Sequence, residues 1–294
     1  MTAREANTET RRFSGLPASA PTRIAVDEAL RNNWLEIWYQ PKIDLKRKCL
    51  AGAEALARIR HPQEGMLWPD SFLPGIDEVS LNHLTEHALL TTLRNWSLFA
   101  DAGFNLHLAI NVPASALSKL PIAEIVAQNR PKSETWPGLI LEVTEDQIVR
   151  DIALAKECAG ELKACGITIA IDDFGAGYSS FSSLRDLPFA EIKLDDQFVK
   201  NCAIDATNAA ICQTAIDLAH RFGSKAVAEG IESMTDLQAL VVMGCDFGQG
   251  MLVAPPMPKE RFLELLRQRN NKPRPQAEPA ASEPPAVAAA DRVA

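Results

Sequence analysis

The chain has 294 residues, 47% of them hydrophobic, and a formal net charge of −8 at neutral pH. That is enough apolar mass for a full core, and one α/β barrel of roughly 250 residues is a solution of this size. The acidic balance gives no support for nonspecific binding to a DNA backbone, and no apolar run approaches the roughly 18 residues that span a bilayer.

Residues 1–22 are rich in Thr, Arg, Ala and Pro without a period, and read as a disordered N-terminal segment. Short β-type runs follow at 36–40, 49–56, 106–111, 139–144, 166–173, 191–194, 225–229 and 245–249, each with a polar residue at or near its C-terminal end. Helical patterns lie between them at 81–100, 151–164 and 206–222, the last with Ile211, Ala215, Leu218 and Phe222 at helical spacing. Residues 271–294, with five prolines and the run Ala288-Ala289-Ala290, read as a disordered tail, which leaves 23–270 as one domain.

Eight strands with helical crossovers predict an α/β fold, a TIM-type (β/α)8 barrel. Only residues 41–48 join the first two runs, too few for a helical crossover. The first strand is therefore expected antiparallel to the second, and the barrel is a modified one. The cysteines (Cys49, Cys158, Cys165, Cys202, Cys212, Cys245) form no C-x-x-C pair, and the N-terminus lacks a signal-peptide apolar segment. Both features point to reduced thiols and a cytoplasmic setting.

Active sites of such barrels gather at the C-terminal strand ends. The polar residues there are Glu54, Asn111, Glu142, Asp172 with Asp173, Lys193, Glu229 and Gln249. Alternation along the strands puts Glu142 on the face of Ile140 and Asp172 on the face of Ala170, aimed inward. A ring of unpaired carboxylates is costly as a mere core feature. Carboxylates and an amide oxygen, without His or Cys, suit a hard cation such as Mg²⁺ or Mn²⁺. The adjacent Asp172 and Asp173 suit two ions roughly 3.5–4 Å apart, the spacing used for in-line displacement at phosphorus. Lys193 and Arg58 supply the fixed positive charge that a phosphodiester needs.

The stretch Glu54-Ala55-Leu56-Ala57-Arg58 resembles the signature of the EAL family of bacterial cyclic di-GMP phosphodiesterases. Tyr39-Gln40-Pro41, Ile110-Asn111-Val112, Leu141-Glu142-Val143-Thr144-Glu145 and the run from Asp172-Asp173-Phe174-Gly175 to Ser180 keep the family's order. So do Ile192-Lys193-Leu194-Asp195, Ala228-Glu229-Gly230-Ile231-Glu232 and Gly248-Gln249-Gly250, and the likeness spans 38–258. One three-letter match would carry nothing; eight ordered motifs carry the family.

The resemblance implies hydrolysis of cyclic di-GMP to linear pGpG, lowering the second-messenger level. It assigns Glu54, Asn111, Glu142 and Asp172 to one divalent cation, and Asp172, Asp173 and Glu229 to a second. Lys193 would sit beside the attacking water, with Glu229 as base or water-orienting group; the choice between the two stays open. Gln40, Arg58 and Gln249 would contact substrate, and Glu145 would anchor the loop after Asp173. Family members commonly pair through helices near that loop, here 174–183, so a homodimer is expected. The competing expectation is a silent domain that binds cyclic di-GMP or a protein partner to regulate transcription or virulence. Silent members generally lose ligands, and this chain keeps them. A third, an unrelated barrel phosphodiesterase with another substrate, is disfavoured by the number of matched motifs.

Departures from the family pattern are Ala190, Pro113-Ala114, and the segment after residues 69–74, which lacks the usual acidic stretch. No cyclase, PAS or receiver segment is expected in these residues. Asp172-Asp173-Phe174-Gly175 contains the Asp-Phe-Gly of protein kinases, but no H-R-D loop or G-x-G-x-x-G accompanies it. His83 and His87 stand i, i+4 without the zincin Glu and read as helix surface. His107 shares the face of Asn111 from roughly 13 Å down the strand, too far for the same ion. The five tryptophans and Met243 read as core or boundary residues.

Overall fold

The computed structural model describes residues 26–150, 152–175 and 187–270. The expected disordered segments, 1–22 and 271–294, lie outside these residues, as does most of the expected dimer loop, 176–183.

Among the described residues ten strands form one sheet: β1 (Leu35–Asp44), β2 (Cys49–His61), β3 (Gly65–Leu67), β4 (His107–Asn111), β5 (Leu139–Thr144), β6 (Ile167–Phe174), β7 (Phe189–Leu194), β8 (Lys225–Ala228), β9 (Phe247–Gly248) and β10 (Met257–Pro258). Strands β2 and β4 to β9 pair in parallel, in chain order. Strand β1 runs antiparallel to β2 on one side and to β9 on the other, which closes an eight-stranded barrel. The antiparallel first pair follows from the short connection, as expected. Strand β3 extends β2, and β10 lies along β1; neither was visible in the sequence pattern.

Helices cover the outside. The long helix Glu78–Asp101 begins at Asp77, whose side chain accepts from the Ser80 backbone N–H, and Ala206–Arg221 begins at Asp205, which accepts from Thr207 and Asn208. These caps satisfy donors that a helix start leaves unpaired. Met234–Met243 starts at Ser233 and stops at Gly244, whose φ of 86° suits a residue without Cβ. A further helix, Lys259–Asn270, closes the domain and was not foreseen. It buries Phe262 against Tyr39 and Phe99, with ring centroids 5.6 and 4.9 Å away. The Tyr39 hydroxyl accepts from Asn95 at 2.8 Å, so this cluster pins the outer face of β1 to the long helix.

The outward strand residues, among them Leu108, Ile110, Leu141, Ile169, Ile171 and Ile192, form the main core with the helices. The barrel interior is separate and small: Ala109, Ile140 and Ala170 form their own buried cluster. Toward the opposite end of the interior Lys42 and Glu191 make a buried ion pair at 2.6 Å. That pair plugs the floor, so the open face is the one to which the parallel strands point their C-terminal ends.

Candidate active site

Alternation carries the inner apolar layer straight into an acidic one. Two residues beyond Ala109, Ile140 and Ala170 stand Asn111, Glu142 and Asp172. Lys193 lies two residues beyond Glu191 on β7, and Glu54 faces the interior from β2. Glu229 and Gln249 follow immediately after β8 and β9, tied to neighbouring strands by backbone bonds to Leu194 and Ala228. Residues from seven strands therefore meet at one barrel mouth.

Lys193 is the centre of the group and is 1% exposed. Its Nζ lies 2.7 Å from Glu229, 2.8 Å from Glu142, 3.0 Å from Asp172 and 3.9 Å from Glu54. Glu54 also accepts from the Asn111 amide at 2.6 Å and from the Gln249 amide at 2.5 Å, and Gln249 reaches Glu229 at 3.0 Å. Gln40 stands opposite Glu54 in the β1–β2 register and donates to the Ala254 carbonyl at 3.3 Å.

The electrostatics follow from five carboxylates sharing one ammonium. Burial disfavours the Lys193 charge, yet Glu142, Glu229, Glu54 and Asp172 together hold its pKa well above the ordinary lysine value. Glu142 is pushed well up by burial, with Lys193 opposing and the neighbouring carboxylates reinforcing. Burial also lifts Glu229 to about 8 and Asp173 to about 6, Asp172 adding to both. For Glu54 burial works upward, but Lys193 and the two amides win and its pKa falls.

Asp173 has a left-handed backbone (φ 53°), and its N–H bonds the Asp172 side chain at 3.0 Å. The next loop residue, Gly175, has φ 100° and donates its N–H to the buried Glu145 carboxylate at 3.0 Å. A side chain at Gly175 would meet Phe198 at 3.1 Å. Backbone conformation and packing both call for glycine there.

The donor chemistry of this mouth fits hard divalent cations: every candidate ligand offers oxygen, and the buried negative charge exceeds what Lys193 balances. Asn111 turns its amide nitrogen to Glu54, so its Oδ1 is the atom it could offer to a cation. As they stand, the carboxylates converge on Lys193, and among the described residues no three acidic, His or Cys side chains are already set around an ion.

A cavity of about 400 Å³ opens above this layer, lined by Gln40, Glu54, Asp173, Glu229 and Gln249, and also by Asp195, Asp196 and Glu232. An apolar pocket of about 500 Å³ adjoins it across Leu56, walled by Pro69, Leu73, Ile76 and Leu84 and reaching Asn111 and Glu142. A third cavity, about 540 Å³, lies on the flank beside Arg94 and Lys259 and holds none of these groups. The sequence reading missed the apolar pocket, because its walls come from segments with no polar signature.

Arg58 is buried at the rim of the mouth, its guanidinium 4.3 Å from the Trp68 ring and 5.9 Å from the Trp38 ring. Trp96 is buried as expected, whereas Trp68 is 47% exposed over Arg58. His83 lies 3.1 Å from Asp27 on the outside of the long helix. His107 is at the opposite end of the barrel, where burial and then the Lys42 charge lower its pKa. None of the six cysteines is in a disulfide.

The family model described as EAL domain matches residues 23–256. Similar curated proteins include three of Pseudomonas aeruginosa. The bifunctional diguanylate cyclase/cyclic di-GMP phosphodiesterase MucR is 35% identical over 239 residues, covering 80% of this chain and 35% of that protein. The cyclic di-GMP phosphodiesterase RocR is 34% identical over 249 residues, 84% of this chain and 64% of that one. The cyclic di-GMP phosphodiesterase PA2567 is 37% identical over 231 residues, 78% and 39% of the two chains. The chain thus spans between about a third and two thirds of these relatives. Among solved structures, the PaMucR phosphodiesterase in complex with c-di-GMP is 34% identical with a TM-score of 0.75, covering 81% of this chain and 97% of that one.

Proposed function

Because this chain belongs to the EAL domain family, we propose that it hydrolyses cyclic di-GMP to linear pGpG by in-line attack of water at one phosphodiester. The observation that carries the reading is the inward acid layer around Lys193, from seven strands at one mouth. Relatives named as cyclic di-GMP phosphodiesterases, and a similar structure holding c-di-GMP, supply the substrate.

Glu54, Asn111, Glu142 and Asp172 would hold one Mg²⁺ or Mn²⁺, and Asp172, Asp173 and Glu229 the second. Bound there, such ions would lower the pKa of a water and offset charge on the phosphoryl oxygens. Lys193 keeps the carboxylates together and donates toward the water or a phosphate oxygen. Glu229, held at about 8, needs added positive charge beside it to act as a base at neutral pH. Arg58 faces a phosphate, while Gln40 and Gln249 present amides to the substrate from β1 and from the turn after β9. The water oxygen forms the new P–O bond, the ring ester P–O bond breaks, and the departing hydroxyl leaves with a proton.

The test is purified protein with cyclic di-GMP and Mg²⁺ or Mn²⁺, followed by chromatography for pGpG. Binding without product would leave the silent-domain reading. No helix among the described residues is long and apolar enough to cross a membrane. With six free thiols we assign the enzyme to the cytoplasm, without direct nucleic-acid binding.

A homodimer through the helices beside the loop 174–183 completes the proposal. Control then passes through Glu145, which holds the Gly175 N–H at one end of that loop. Glu145→Ala should fold normally by circular dichroism yet lose about 10²-fold in turnover, the usual cost of removing a ligand-orienting group. Light scattering and specific activity over a dilution series should show activity per chain falling as the dimer dissociates.

A further inference from the structure

The inner face of the β1–β2 hairpin continues above the acid layer. Gln40 is paired with Glu54, Trp38 with Leu56, and Glu36 with Arg58. Glu36 would be the natural partner of Arg58, but it gives its oxygens to Arg60, at 2.5 and 3.0 Å, and to the Trp38 indole N–H at 2.9 Å. Among the described residues Arg58 consequently has no carboxylate within ion-pair distance. Its Nη1 donates to the Ala57 carbonyl at 2.7 Å, and its Nε is buried without a partner.

A buried, unpaired guanidinium nitrogen is costly unless something arrives to use it. The Nε–Nη2 edge of a guanidinium is the one that binds an oxyanion with two parallel hydrogen bonds. Two indoles pack against one side of the same guanidinium: Trp68 lies 4.3 Å from it and Trp38 5.9 Å, the two rings 6.1 Å apart and inclined at 69°. Trp38 is itself held by Glu36 and Arg60.

We propose that Trp68 is a positioning residue for the substrate phosphate, acting through Arg58. Its indole and that of Trp38 form a slot along one side of the guanidinium, which restricts the directions its Nε–Nη2 edge can take. The inference rests on the phosphodiesterase reading. Trp68 is half exposed and contributes little to the core, so its replacement tests the slot more than the fold.

The experiment is a double-mutant cycle on cyclic di-GMP turnover. Trp68→Ala should raise KM about tenfold with kcat within about twofold, between the scales of an exposed and a desolvated cation–π contact. Trp68→Phe should return KM to within about threefold of wild type, whereas Trp68→Leu, apolar but without a π face, should not. In an Arg58→Ala background the further change Trp68→Ala should alter kcat/KM by less than about twofold. Additive effects, or a Leu variant equal to wild type, would overturn the slot while leaving the phosphodiesterase reading intact. No turnover by the wild type would overturn both.

Discussion

Glu54→Ala should lower cyclic di-GMP turnover by at least about 10³-fold, as should exhaustive chelation of the wild type. Glu54 is where β2, β4 and the turn after β9 meet, since it accepts both the Asn111 and Gln249 amides. Its loss deprives a cation of a ligand and frees those two amides at once. The fold should survive, because Glu54 is one of several mutually repelling carboxylates and its removal relieves Glu142 and Glu229. The melting temperature of the metal-free variant should therefore stay close to that of the wild type. For the chelated wild type, Mn²⁺ or Mg²⁺ should restore hydrolysis, while Ca²⁺, larger and looser in geometry, should bind without supporting it. A Glu54→Ala enzyme turning over normally in excess metal would show the ligand assignment to be wrong.

Lys193→Met should have a different signature in stability. Lys193 is within 4 Å of four carboxylates and almost wholly buried. Removing one partner of a buried ion cluster costs about 3–5 kcal/mol, because the remaining charges are left uncompensated. The pH dependence has a definite sign. Burial already raises Glu142 and Glu229, the latter to about 8, and loss of the ammonium raises them further. The folded variant then binds more protons than the unfolded chain, so its stability falls as pH rises from the ordinary glutamate range to about 8 and above. In EDTA the variant should melt higher at pH 5.5 than at pH 8, with a steeper slope than the wild type. Added Mn²⁺ should recover part of the loss at pH 8, because the cation binds only the folded mouth. Turnover should fall at least about 10²-fold. A variant with the wild-type pH slope would mean that Lys193 does not neutralise this cluster.

The barrel was legible because its signals are local. Run length and β-type composition mark each strand, and alternation marks its faces. The eight residues between the first two runs exclude a helical crossover, and β1 and β2 are indeed antiparallel. The same alternation aimed Glu142 and Asp172 inward from Ile140 and Ala170, which are buried together inside the barrel.

What sequence alone did not supply is height and adjacency. Alternation assigns a face to a side chain; the stagger between strands sets the level at which it meets its neighbours. Asn111 is opposite Glu142, but Asp172 pairs with Thr144, a step further along β5. Only this stagger, together with closure through the two residues of β9, brings Lys193 among carboxylates from four other strands or strand ends. The Arg58 slot has the same origin: Trp38, Arg58 and Trp68 lie on three segments, and nothing in their spacing says that Glu36 will bond Arg60 instead of Arg58. Side-chain chemistry is a property of the residue, whereas the partner it finds depends on strand register and on competition between nearby charges, and both are settled when the barrel closes.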